Sequence, residues 1–444
     1  MEIRSPSAYR RRSCKFKDFE QFKICSKNFN VQYHRIYNAR LAALKDHLLQ
    51  KAKAKWAECE VVILSELVEK SEDNNYIVIG TLYKHQELKP SILHELTKEL
   101  QLPTHLSRTN YASFKDILFL EDDALRVKLV GNHMNIQSVV TGIVCAVFGH
   151  QLENGEFDVI DWCYPGYTSN LAKSIKPLEQ LGKILIISGL DLVNNTQPLN
   201  LNLFSEWVTG MIGSSVIQTE VASIVCIIIA GNSIRGSIET YSHEGYFETK
   251  THETNYKQTT ISAHKLDNFL LPIVQCCSMV LMPGEFDPTC HTLPQQSLHP
   301  CILSQSSRFK SFYGATNPWI GSVNSRIVAG SSGQPILDIM KVAGLVNASP
   351  LTWLEQTLDW RHYAPTAPDT VPAYPFCSTD PFIMTECPDI YFAGNMDKYD
   401  TKLLTANQGQ TIRLICIPKF SETQTAVLVD LQDLQTSPIS FGCS

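Results

Sequence analysis

The sequence predicts an α/β fold joined to a small β-barrel, with the barrel first. Three observations predict it. An early helical repeat is followed by short strand-like runs broken by turn signals. The pattern then changes to wholly apolar strands alternating with helices. Four of those later strands end on glycine. The 444 residues are enough for two domains, and 44% hydrophobic content supplies a large core.

Residues 1–30 are polar and basic and are expected to form a flexible tail, with Arg10 to Arg12 as solvated charge. In "YHRIYNARLAALKDHLLQKAKAKW" the apolar residues Tyr33, Ile36, Tyr37, Leu41, Leu44 and Leu48 recur at helical spacing, which predicts a helix with one buried face. From Val61 the period shortens. "VVILSEL", "YIVIGTLYK", "LFLEDDALRVKLVG" and "SVVTGIVCAVFGHQLENGEFDVIDWCY" read as strands, with turns at Glu121 to Asp123 and at Asn154-Gly155 and a short helix in "KPSILHELTKEL". That set, within residues 31–172, suits a Greek-key barrel of the OB type.

After the loop "PGYTSNLAKSIKPLEQLG", residues 173–444 follow α/β order. Strands are expected at "KILIISG", "ASIVCIIIAGN", "SMVLMPGE", "RIVAGSSG", "IYFAGN", "IRLICIP" and "TAVLVDLQ". Helices are expected at "LNLFSEWVTGMIG", "SAHKLDNFLLPIVQCC" and "SPLTWLEQTLDW".

Bulk properties exclude some functions. A formal charge of −6 argues against binding nucleic acid through overall charge. The fourteen cysteines form no Cys-x-x-Cys pair, which favours free thiols in a reducing compartment. No run reaches the roughly 18 apolar residues of a membrane span, and the N-terminus lacks the apolar core of a signal peptide. A soluble intracellular protein is expected.

In layered α/β folds ligands gather at the carboxyl ends of strands. Four ends here share a shape: Ser188-Gly189-Leu190-Asp191, Ala230-Gly231-Asn232, Pro283-Gly284-Glu285-Phe286-Asp287 and Ala393-Gly394-Asn395-Met396-Asp397. Their order resembles that of the calcineurin-like metallophosphoesterases, and the resemblance implies a four-layer α/β/β/α fold. In that family Asp-x-His, Gly-Asp, Gly-Asn-His-Asp/Glu and Gly-His-x-His hold two metals. Here Gly189 and Asp191 stand at Asp and His, and Asn232 stands at the bridging Asp. Glu285 and Phe286 stand at Asn-His, and Asn395 and Asp397 at the last two histidines. Only Asp287 falls on an acidic position.

A two-metal site needs anionic oxygens and imidazoles to offset about four positive charges. Asn offers a neutral carbonyl, Phe no ligand and Gly no side chain. No metal, cofactor or catalytic residue is therefore expected, and these eight positions read as a degenerate metal site. His291, His299 and His362 read as surface or packed residues. Ser331 to Gly333 reads as a turn, since no Gly-x-Ser-x-Gly elbow occurs. Asp369 and Asp380, beside prolines, read as turn or helix caps.

Longer strings narrow the resemblance: "GTLYK", "LKPSILHEL", "LEDDALRVKLVG", "TGIVCAVFG", "MPGEFDPT", "LPQQSLHPC", "YPF", "TDPFIMTECPDIYFAGN" and "PISF". Through them the chain, from about Tyr33 to Phe441, resembles the B subunits of replicative DNA polymerases, most closely their delta branch. The resemblance implies a non-enzymatic scaffold in the nucleus. Such a scaffold binds the C-terminal domain of the polymerase catalytic subunit and a third regulatory subunit, and so links indirectly to the sliding clamp with little direct DNA contact. Three alternatives stand beside it: an active metal-dependent phosphodiesterase or nuclease, a B subunit of polymerase alpha or epsilon, and a single-strand-binding module. The last requires exposed aromatics interleaved with Lys or Arg on the barrel.

Overall fold

The computed structural model describes residues 11–25, 27–67, 70, 74–89, 110–131, 134–167, 182–194, 198–237, 249–345, 348–405 and 410–442, with backbone alone for 249–256. The helix expected in "KPSILHELTKEL" lies outside them apart from Lys89, as do residues 1–10 of the expected tail and residues 168–181 of the loop before the α/β part.

The chain forms two compact units, each built from separated stretches. One comprises Ser26–Thr168 and Pro335–Glu386, the other Met1–Cys25, Ser169–Gln334 and Cys387–Ser444. The expected single division at residue 172 therefore differs from the grouping of the folded chain. Residues 335–386 share a core with the barrel: Ile383 is buried with Leu44, Leu48, Ile77 and Val144.

The first short strand, β1, is Phe16–Asp18, and helix α1 is His34–Lys55. The barrel strands are β2 (Glu60–Val62), β3 (Tyr76–His85), β4 (Ile117–Glu121), β5 (Arg126–Val130), β6 (Val144–Gln151) and β7 (Phe157–Cys163). Strand β3 pairs antiparallel with both β4 and β6, β4 with β5, and β6 with β7, while β5 runs parallel to β7. The circuit β3-β4-β5-β7-β6 thus closes on itself, with the mixed pairing of an OB barrel. Inward positions Leu82, Leu118, Leu120 and Leu129 fill the interior.

Helix α1 buries Ile36, Leu44, Leu48 and Ala52 on one stripe, as its periodicity predicts, but also buries Arg40. "VVILSEL" is not one strand. The ladder ends at Val62, and Leu64 and Leu67, three apart, bury together on the helical turn α2 (Leu64–Leu67).

The second unit contains two six-stranded mixed sheets. The next strands are β8 (Lys183–Ile187), β9 (Ile224–Ala230), β10 (Ser278–Met282) and β11 (Phe312–Gly314), all parallel. Between them come helices α3 (Pro198–Thr209), α4 (Ser215–Ala222) and α5 (Thr249–Cys276). Strands β12 (Trp319–Val323), β13 (Arg326–Ser331), β14 (Ile390–Met396), β15 (Asp400–Thr405) and β16 (Thr411–Pro418) build the other sheet, with β1 at its edge. Strands β17 (Thr425–Asp430) and β18 (Thr436–Ser440) return to extend the first. Helices α6 (Gln334–Val342) and α7 (Pro350–Asp359) fall between β13 and β14 in sequence, and α8 (Phe420–Thr423) precedes β17.

Alternation along the central strands places each residue. Ile184, Ile186, Ile228 and Val280 join Trp319, Val328, Phe392 and Ile415 in the core between the sheets. Leu185, Ile187, Ile227, Ile229, Met279 and Leu281 face Phe204, Leu266, Leu270 and Ile273 of the helices. Both faces of β8 to β10 are covered, which explains their unbroken apolar runs.

Residues 11–18 of the expected tail are tied to the fold. Strand β1 pairs antiparallel with β12, Phe16 stacks on Trp319 at 5.9 Å, and the guanidinium of Arg11 donates to the carbonyls of Ile224 (3.0 Å) and Val208. Arg11 is thus a helix-and-strand-end ligand rather than solvated charge. Its carbonyl acceptors come from distant residues, which local sequence does not display.

Candidate functional site

The four strand ends meet. Gly189 N–H donates to the Gly231 carbonyl (3.0 Å), and Asp191 N–H to that of Asn232 (3.1 Å). Asn395 N–H donates to Ser188 Oγ (2.9 Å), while its side-chain amide donates to the carbonyls of Ala230 (3.1 Å) and Ser332 (2.8 Å). One asparagine therefore ties the ends of β8, β9, β13 and β14 together.

Local backbone geometry makes this reach possible. Asp191, Asn232 and Asn395 have φ of 44°, 52° and 57°, the left-handed region that Asn and Asp tolerate best after glycine. Asn395 sits in the register shift between Ala393 and Met396, where the extra residue re-aims its side chain. Gly231, at φ 81°, has no room for a Cβ: one would lie 2.5 Å from Ser332 Cβ and 2.8 Å from Gly284 Cα.

Asp287 is enclosed. Its carboxylate accepts N–H groups from Ile234 (2.8 Å), Gly284 (2.9 Å) and Ser233 (3.2 Å). Burial pushes its carboxyl up to about 6, against the opposing pull of those N–H groups. Phe286 N–H donates to Asn232 Oδ1 at 3.3 Å, and Glu285 and Phe286 are half-buried. The remaining acids point elsewhere: Asp191 accepts from Gly236 N–H (2.9 Å) and Asn194, and Asp397 is 92% exposed, 3.8 Å from Lys419. Among the described residues, no three His, Cys, Asp or Glu side chains gather to hold an ion.

Sequence reasoning missed the amides that extend this cluster. Asn317 Oδ1 accepts from Ser332 N–H (2.9 Å), and its Nδ2 lies 2.8 Å from both Ser332 Oγ and Gln295 Oε1. Gln295 in turn donates to the Gly284 carbonyl at 3.0 Å. Ser332, read as part of a turn, is a member of this network. The only sequence signal was Gln295's place in "LPQQSLHPC".

The histidines considered as ligands are engaged otherwise or lie apart. His299 Nδ1 accepts from Cys301 N–H (3.2 Å), and His291 is exposed. In the barrel unit, His362 Nε2 is 2.9 Å from Asp380 Oδ2. Asp380 does accept from Phe382 N–H at 2.9 Å, as a turn acid would, but it is also a fully buried partner of Arg40. Asp369 pairs with Lys89 at 2.6 Å.

The barrel face bears on the single-strand-binding alternative. Tyr83, Phe119 and Lys128 are aligned across β3, β4 and β5, and Arg126 lies 4.4 Å over the Tyr83 ring. Both cations are already neutralised, Arg126 by Glu121 and Lys128 by Glu156 at 2.6 Å. A phosphate backbone would have to displace those carboxylates.

Residues 32–162 match the family of DNA polymerase delta subunit OB-fold domains, and residues 184–401 the family of alpha/epsilon DNA polymerase B subunits. Barrel, α/β unit and amide-knit strand ends thus fit the class of polymerase B subunits. The chain is 35% identical over 422 residues to DNA polymerase delta subunit 2 of Drosophila melanogaster, covering 95% of this chain and 96% of that one. It is 36% identical to the DNA polymerase delta small subunit of Arabidopsis thaliana over 448 residues, 100% and 99% of the two chains. Against the Saccharomyces cerevisiae small subunit identity is 28%, over 95% and 92%. The chain belongs to the DNA polymerase delta small-subunit family.

Proposed function

We propose that this chain is a non-catalytic accessory subunit of DNA polymerase delta, working in the nucleus in DNA replication and repair. It binds the C-terminal domain of the catalytic subunit, bridges it to a third regulatory subunit, and through that subunit connects to the sliding clamp. Direct contact with DNA is slight. The α/β unit is a calcineurin-like phosphoesterase fold that has kept its strand-end loops for shape, with Gly189, Asp191, Asn232, Glu285, Phe286, Asp287, Asn395 and Asp397 at the former ligand positions.

The carrying observation is the strand-end cluster itself. Amide groups of Asn395, Asn317 and Gln295 fasten the loops where a phosphoesterase would place ions, and its one central carboxylate, Asp287, is saturated by backbone N–H groups. Full-length similarity to chains named as polymerase delta small subunits supplies the complex.

Co-expression with the catalytic subunits of polymerases delta, alpha and epsilon tests the reading. Stoichiometric recovery with the delta subunit alone, lost when that subunit's C-terminal domain is removed, is the expected result. Recovery with another catalytic subunit, or manganese-dependent phosphodiesterase activity abolished by Asp287→Ala, would refute it.

A further inference from the structure

The N-terminal strap delivers a thiol to one particular place. Arg11 fastens it to the Ile224 carbonyl, and Lys15 exchanges hydrogen bonds with Asn324: Lys15 N–H to Oδ1 at 2.7 Å, and Asn324 N–H to the Lys15 carbonyl at 2.9 Å. Between these anchors Cys14 packs, half-buried, against the core between the sheets. There its sulfur lies beside the thiol of Cys226 and the side chain of Ser278. Cys226 and Ser278 are register partners on β9 and β10, so Cys14 lies over one rung of the ladder between these two strands. This place is near the amino end of β9, at the opposite end of the strand from the amide cluster.

We propose that Cys14 and Cys226 form a reversible disulfide, a redox modification site that covalently fastens the strap to the central sheet. The two thiols are unequal. The neighbouring Cys226 thiol favours the Cys14 thiolate and lowers its pKa, and the nearness of Cys14 together with burial pushes Cys226 well up. Cys14 is also the more accessible of the two, so a peroxide meets it first.

The chemistry balances with hydrogen peroxide as oxidant. The Cys14 thiolate attacks one peroxide oxygen, the O–O bond breaks, and hydroxide leaves a sulfenic acid behind. Cys226 sulfur then attacks Cys14 sulfur, expelling the second hydroxide, which takes up the Cys226 proton. Two thiols lose two electrons, and the peroxide is reduced to two waters. A dithiol reverses the bond by exchange. Other thiols are open to oxidant, Cys25, Cys276, Cys301 and Cys377 among them, but none is held against a buried sulfur in this way by the contacts seen.

The test treats the full chain with hydrogen peroxide, alkylates it, digests it without reductant and maps the peptides by mass spectrometry. The expected product joins the Cys14 peptide to the Cys226 peptide. Its formation raises the thermal midpoint, dithiothreitol reverses both changes, and neither occurs in Cys14→Ser. Recovery of Cys14 as a free thiol, as a sulfinic acid, or linked to Cys276 or Cys277 would overturn the proposal. The wild-type peptide map decides even if Cys14→Ser folds poorly.

Discussion

Arg40 and Asp380, 340 positions apart in the chain, meet through Nε and Oδ2 at 2.7 Å with both side chains fully closed to solvent. The rest of the guanidinium donates to the carbonyls of Gly142 and Pro365 at 2.9 Å and of Ala367 at 2.7 Å. All three nitrogens of the buried cation are thereby engaged. Asp380→Ala strands that charge and is expected to cost about 3–5 kcal/mol in urea unfolding. Arg40→Met combined with Asp380→Leu should cost clearly less than the two single changes summed.

Protonation of His362 sets an acid limit for the barrel unit. Burial, with Arg40 nearby, lowers its pKa to about 4, so between the ordinary value near 6.5 and 4 the unfolded chain takes up a proton that the fold refuses. Stability from this residue is present above pH 6.5 and lost as pH falls, on the order of 2 kcal/mol by pH 5. Burial works to raise the Asp380 carboxyl, but Arg40 and His362 outweigh it and hold it well below the usual range, so its contribution also fails toward acid. Asp287 acts oppositely: its raised carboxyl binds a proton more readily in the fold, a stabilising effect present at low pH and lost as pH rises through about 6. The informative quantity is the difference between wild type and His362→Gln across pH 5 to 7.5. A difference that does not change with pH would refute the assignment.

At the strand ends, Asn395→Ala removes the two amide bonds to the carbonyls of Ala230 and Ser332. A loss of about 1–3 kcal/mol in denaturant unfolding is expected. Asp287→Asn turns an acceptor of three N–H groups into a group half made of donors, and should destabilise by a similar amount. Neither change should alter hydrolysis of a phosphodiester in manganese.

Deleting residues 1–18 removes β1, the Arg11 anchor and the Asp18 carboxylate that accepts from Tyr313 and from Trp319 Nε1 (3.1 Å). Differential scanning calorimetry should show the α/β unit melting lower, with a loss of about 2 kcal/mol or more. A mobile tail would leave the transition where it was.

Strongly periodic segments were legible: α1, the apolar runs of β8 to β10, and barrel strands β3, β4, β5 and β7 with the Asn154-Gly155 turn stand where the sequence places them, whereas "VVILSEL" divides into β2 and α2 and β6 begins only at Val144. The glycine-marked strand ends of β8, β9 and β14 meet through Asn395. Residues whose partners lie far along the chain were not legible. Arg40 sits on an otherwise apolar helical stripe, Asp380 looks like an ordinary acid before proline, and nothing local announces that they bond. Strand β1 failed for the same reason, since three polar-flanked residues acquire a strand only by pairing with Trp319 to Val323. Asn317 and Gln295 exert their effect through side-chain amides, which carry neither charge nor hydrophobic period.

The interleaving of the two units has a consequence for synthesis. Helix α1 and every barrel strand leave the ribosome by residue 163, yet Ile383, His362 and Asp380, which complete that core and neutralise Arg40, follow only some two hundred residues later. A nascent chain therefore carries an unpaired guanidinium and an open apolar face while most of the α/β unit is being made. Its last barrel contacts form only after residues 169–334 of the α/β unit have been translated. Chaperone capture of stalled intermediates should fall off once residue 386 has cleared the exit tunnel.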